Sequence, residues 1–139
     1  RLKDDGVLIA NFYGSLAPDS RAMIYSVFRT MRGAFPQVYA VATVSPNSEE
    51  LQNFIFIGHN ASEPDKRVDL RQAAAVEFAY PMLKGVAALE LRPADALLES
   101  HPLLTDDFAP VEYYAASTIR LYDVISTGRR ESSSRSRIH

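Results

Sequence analysis

The stretch LLTDDFAPVEYY at residues 103–114 sets two adjacent acids, Asp106 and Asp107, and a third, Glu112, among Phe108, Tyr113 and Tyr114. A carboxylate within reach of a substrate proton can accept it, so acids framed by apolar and aromatic side chains suit a site. The same residues also suit a helix start. Pro110 fits a first helical position, Asp107 precedes it by three residues, and Glu112 falls in the first turn, where negative charge favours the helix dipole. The acids are read in both ways, as a cap and as a site.

Other chemistry-bearing residues are more scattered. Asn11 and Tyr13 close the apolar run VLIANFYG, and ligands of α/β sheets bind beyond the carboxyl ends of strands, although a plain turn accounts for both residues equally well. His59 and His101 have no partner at metal-ligand or triad spacing and read as surface residues. Ser15 is not in a G-x-S-x-G elbow, which removes support for a hydrolase. The chain has no cysteine, so disulfides, thiolate metal sites and a cysteine nucleophile are excluded. Its glycines, at 6, 14, 33, 58, 85 and 128, form no G-x-G pattern.

These residues need elements to position them. Asp5 and Gly6 signal a turn, and Val7 to Phe12 is an almost continuous apolar run, as expected of a strand covered on both faces. Met23, Ile24, Val27, Phe28 and Met31 recur at helical spacing, with Asp19 or Ser20 as N-cap and Gly33 and Pro36 closing the helix. Residues 37–45 and 53–58 are β-rich and read as an antiparallel pair. The spacing predicts a helix over Lys66 to Tyr80, stopped by Pro81, then a short apolar segment VAALEL and a helix with Pro93 at its first position. Val111, Tyr114, Ala115, Thr118, Tyr122 and Ile125 form one stripe of a helix over 110–126. Residues 127–139, rich in Ser and Arg, read as a disordered tail. The expected fold is α/β, with a sheet whose order is first strand, third, second, and whose last strand is antiparallel to its neighbours.

The 139 residues suffice for one domain at most, with a moderate core. A net charge of −2, with the arginine cluster confined to the tail, disfavours a nucleic-acid partner. No apolar stretch approaches the roughly 20 residues of a membrane span, and no signal peptide is visible, so a soluble, cytoplasmic protein is expected. Because the sequence opens on Arg1 within a polar run, it reads as a piece of something longer.

The runs GVLIANFYGSL, TMRGAFPQVYAV, NFIFIGHNA and LLTDDFAPVEYYAA together resemble the C-terminal half of the spermidine synthase family, in particular its bacterial spermidine synthase-like members. LTDDFAPVE carries the resemblance most specifically, and the likeness covers most of residues 1–126. It implies the C-terminal part of a Rossmann-like, S-adenosylmethionine-dependent methyltransferase fold, with a mixed sheet ending in an antiparallel hairpin. The implied activity is transfer of an aminopropyl group from decarboxylated S-adenosylmethionine to an amine such as putrescine. Substrate-side candidates are then Asp106, Asp107, Glu112, Asn11 and Tyr13.

In that family the Gly-rich loop, the acid that holds the nucleoside ribose and the catalytic base precede the region matched here. The resemblance therefore implies that this chain supplies one wall of a cleft and holds no tightly bound cofactor by itself. A non-catalytic or degenerate α/β module for assembly or ligand binding is the alternative. A first strand that is apolar on both faces and lacks a neighbour on its far side predicts a homo-oligomer, or completion by a segment on the N-terminal side.

Overall fold

The computed structural model describes residues 2–61, 63, 81–107, 109 and 116. A tight turn at Asp4 and Asp5, closed by a hydrogen bond from Gly6 N to Lys3 O at 2.9 Å, leads into the first strand. Asp5 itself takes the left-handed backbone (φ 63°), which aspartate tolerates better than most residues. The described strands are β1 (Val7–Gly14), β2 (Gln37–Ala42) and β3 (Gln52–His59).

β3 lies in the middle, giving the order β1-β3-β2 that the sequence predicts. It runs antiparallel to both neighbours, with Ile57 opposite Ile9 on one side and opposite Tyr39 on the other. β1 and β2 share a direction but do not touch, so every neighbouring pair in this sheet is antiparallel rather than mixed. The reason is geometric. Helix α1 (Ala22–Ala34) carries the chain from β1 to β2 past a gap one strand wide, and the 43–51 connection turns β3 back into that gap.

One face of the sheet packs against α1. Along β3 the burial alternates with the period of two that a half-covered strand demands, with Phe54 and Phe56 buried and Ile55 and Ile57 less so. The Phe56 ring meets Phe12 edge-on at 5.6 Å between centroids and Phe28 at 5.8 Å, joining strand to strand and strand to helix. Burying each such ring stabilises by roughly 1.5–3 kcal/mol. Met23, Ile24, Val27, Phe28 and Met31, the helical stripe read from the sequence, are all in this core.

The start of α1 differs from expectation. Its N-cap is Arg21, without a side-chain cap, rather than Asp19 or Ser20. A turn over residues 17–21 replaces the cap, because the Ala17 carbonyl already accepts the Ser20 and Arg21 amides at 2.9 Å. The other end closes as a helix before proline should: Phe35 is extended, and its amide returns to Met31 O.

β1 is not covered on both faces. As an edge strand it leaves Val7 49%, Leu8 40%, Ile9 66% and Tyr13 46% exposed. An unbroken apolar run signals apolar surroundings only when a neighbour is present to supply them, and among the described residues none lies beyond β1.

A 3₁₀ segment (Pro81–Leu89) takes in the first four residues of the apolar segment VAALEL, and Glu90 then bridges Val41 while Leu91 N donates to Ala40 O at 2.8 Å. This strap borders the outer edge of β2. The short helix α2 (Asp95–Glu99) has Ala94 as N-cap, so Pro93 precedes the cap instead of occupying the first helical position. Leu98 of α2 is buried in the core beneath α1. The predicted helix over 66–80 and the tail 127–139 lie outside the described residues, as does the predicted helix over 110–126 apart from Ala116, which is helical.

Candidate functional site

Asn11 and Tyr13 are odd-numbered positions of β1, whereas Leu8, Ala10 and Phe12 line the space under α1. Strand alternation therefore points Asn11 and Tyr13 to the face away from the helix, where both are exposed. They share that face with Ile55 and Asn53 of β3, the residues directly opposite them.

The carboxyl ends of β1 and β2, where a ligand of an α/β sheet would be expected, are tied by a hydrogen-bond network. Gln52 is buried, and its Oε1 accepts the amides of Val44 at 2.9 Å and Ser45 at 3.1 Å. Its Nε2 donates to Ser45 O at 2.9 Å and Ser48 O at 3.4 Å. Ser15, also buried, donates its hydroxyl to Glu49 O at 2.5 Å and accepts the Ala17 amide at 2.9 Å. These groups spend their hydrogen-bonding capacity on the backbone and hold the 43–51 loop against the end of β1. Neither residue was marked by the sequence for this role, although a glutamine directly before a β-rich run and after a Pro-Asn turn is the available signal.

Asp106 and Asp107 lie in a turn and are exposed. The approach to that turn is fixed on the helix layer: Leu104 N donates to Thr30 Oγ1 at 2.8 Å, and the same hydroxyl donates to Ser26 O at 2.7 Å. The two acids thus follow a residue anchored to α1, while Asn11 and Tyr13 project from the opposite face of the sheet. The described structure does not gather the four residues around one point. Glu112 lies outside the described residues, as does Phe108.

No family model, curated protein or solved structure matches this chain.

Two open depressions flank the C-terminal half of α1. One of about 600 Å³ includes Arg32, Arg92 and Glu90, and one of about 390 Å³ includes Arg29, Arg32, Asp95 and Glu99. Their charges are locally balanced. Arg32 pairs with Asp95 at 2.5 Å, and Arg92 pairs with Glu90. The Arg32–Asp95 pair is solvent-facing on both sides and worth about 1 kcal/mol at most, but it joins the basic last turn of α1 to the acidic first turn of α2. A third cavity, of about 330 Å³ between β1 and α1, is apolar, with Leu8, Phe12 and Met31 in its wall.

The two histidines are less exposed than the sequence suggests. His59 is buried at the end of β3, its Nδ1 3.2 Å from Gln37 Oε1. His101 packs edge-on against Tyr25 at 5.1 Å, and its carbonyl accepts a hydrogen bond from Arg29. Among the described residues no three His, Asp or Glu side chains converge as a metal site would require. None of the described helices is long and apolar enough to cross a membrane.

Proposed function

We propose that this chain is the C-terminal portion of a spermidine synthase-like aminopropyltransferase. The observation that carries the reading is the strand order. A last strand inserted antiparallel between two strands of common direction is the ending expected of that fold, and it occurs in the chain that also contains LTDDFAPVE.

In the proposed reaction the amine acceptor loses a proton, its lone pair attacks the carbon beside the sulfonium of decarboxylated S-adenosylmethionine, and the carbon–sulfur bond breaks to release a thioether. Carboxylates serve twice in such chemistry, by accepting the proton and by holding the cationic amine. This chain is assigned the second task. Asp106, exposed in its turn, is the residue we assign to the amine, and Asp107, nearer Pro110, is assigned to the start of the expected helix. Glu112, Asn11 and Tyr13 remain substrate-side candidates. Without a G-x-G loop, the chain alone is assigned no tightly bound nucleoside.

The second reading, an α/β module for assembly, is favoured by one observation: the exposed apolar edge of β1. Aminopropyl transfer to putrescine, measured in the full-length parent that carries this sequence, separates the two. Product formation supports the transferase. A folded parent that neither forms product nor binds the thioether leaves the assembly module.

A further inference from the structure

We infer that the depression at the start of β2 is a binding site for a free α-amino acid with an apolar side chain. The site begins with an unfinished strand pairing. Thr43 N donates to Asn53 O at 3.0 Å, so the odd-numbered residues of β2 turn their peptide groups toward β3 and the even-numbered ones turn theirs outward. Ala40 uses its outward carbonyl to accept the Leu91 amide at 2.8 Å, beside the bridge that sets Val41 opposite Glu90. Continuing that register would bring residue 93 opposite Val38. Residue 93 is proline, which has no N–H to donate, and the bridge goes no further. The amide and carbonyl of Val38 are left on the border of the cavity of about 600 Å³, with no hydrogen-bond partner among the described residues.

The same edge sets the length of the ligand. Pro36, the next outward position, also lacks an N–H, so Val38 alone offers a donor and an acceptor together. A longer peptide strand would find no second donor there. A free amino acid brings both complements, an ammonium for the carbonyl and a carboxylate for the amide.

The side chains around Val38 suit those two charges. Glu90 is 10% exposed, and Arg92 donates both Nε, at 2.8 Å, and Nη2 to its Oε2, which leaves Oε1 without a described partner and able to receive an ammonium. Arg32 bonds Asp95 through Nη1 and has further N–H groups for a carboxylate. Each arginine of the wall is already matched by an acid, so a ligand of net charge would unbalance the site and a zwitterion would not. Phe28, Phe35, Pro36, Leu91 and Pro93 complete the lining and suit an aliphatic or aromatic side chain. The volume falls within the roughly 300–1,000 Å³ of small-molecule pockets. Because β3 lies between β2 and β1, the site is independent of whatever adjoins β1, and it rests on no part of the transferase reading.

Titration of the chain with L-leucine and L-phenylalanine, followed by amide chemical shifts, tests the inference. Saturable shifts at Val38 and Leu91 in the millimolar range are expected, with Ile9 on the far edge unmoved. N-acetyl-leucine lacks the ammonium and leucinamide lacks the carboxylate. Each is expected to bind about tenfold more weakly than leucine, since each gives up a charge-assisted hydrogen bond. Glu90→Gln is expected to weaken leucine by a similar factor. No shift with either amino acid overturns the inference, as does equal binding of leucine and its two derivatives, or unchanged leucine affinity in a folded Glu90→Gln protein. A leucine tripeptide that binds more tightly than leucine also overturns it, by making the edge a peptide dock. The derivatives are compared on the unmodified chain, so a Glu90→Gln protein that fails to fold leaves the test intact.

Discussion

The ring of Phe35 occupies the space that a side chain on Gly58 would need: a β-carbon at Gly58 would lie 2.7 Å from Cδ2 of that ring and 2.8 Å from Cγ. No described glycine has a positive φ, so Gly58 is required for room and not for backbone freedom. Gly58→Ala is expected to lower stability by about 1–3 kcal/mol through overpacking. Urea unfolding measures the loss, and combining it with Phe35→Leu should recover part of it. Independent, additive effects would show that the two residues do not compete for the same space.

Ser26 sits at the buried centre of α1, and its Oγ has no hydrogen-bond partner among the described residues. A desolvated hydroxyl without a partner is costly, so Ser26→Ala is expected to be neutral or to stabilise by about 1 kcal/mol. Thermal denaturation checks this. Destabilisation by more than about 1 kcal/mol would mean that the hydroxyl makes a bond which matters.

Tyr25 predicts an alkaline limb. Burial pushes its phenol above the ordinary tyrosine value, against a smaller lowering by the Arg21 charge. A proton held more tightly when folded contributes stability that is fully present below the unfolded-state value, near 10, and is lost as pH rises through the folded-state value. Stability measured between pH 9 and 11.5 is expected to fall less steeply in Tyr25→Phe than in the parent chain. Identical slopes would remove Tyr25 from the alkaline transition.

The paired acids are separable by charge. Asparagine caps a helix about as well as aspartate, so Asp107→Asn should change little, whereas Asp107→Ala should cost on the order of 1 kcal/mol. Asp106→Asn in the full-length parent is expected to raise the putrescine KM severalfold with the melting temperature unchanged. If both Asn variants keep parental kinetics, the stretch LLTDDFAPVEYY starts a helix and does not hold an amine.

Much of the architecture was legible because it rests on local periodicity. The stripe from Met23 to Met31 and the β-rich runs at 37–45 and 53–58 each state their element, and the placement of β3 between β1 and β2 follows from their succession. The exposure of Ile9 was not legible, since an apolar run looks the same beside a neighbour and beside an open edge. The cap of α1 was missed because the carbonyl of Ala17 does what a side chain at Asp19 or Ser20 would otherwise have done, and backbone bonding leaves no trace in residue identity. At the site, residue types identified Asn11, Tyr13 and the two aspartates as candidates. Their distribution over opposite faces depends on strand parity and on the anchoring of Leu104 at Thr30, neither of which composition records.

The carboxamide of Gln52 gives the 43–51 connection an unusual kinetic standing. Surface loops normally exchange their amide protons through small, frequent local openings. Here the Val44 and Ser45 amides end on a side chain that is 2% exposed and rooted at the first residue of the central strand. Freeing those protons requires Gln52 to leave the interior, which disturbs the pairing of β3 with β1 where Gln52 faces Gly14. The Val44 and Ser45 amides are therefore expected to exchange with the sheet and more slowly than those of Asn47 and Glu50, whose bonds to serine hydroxyls of the loop itself are exposed.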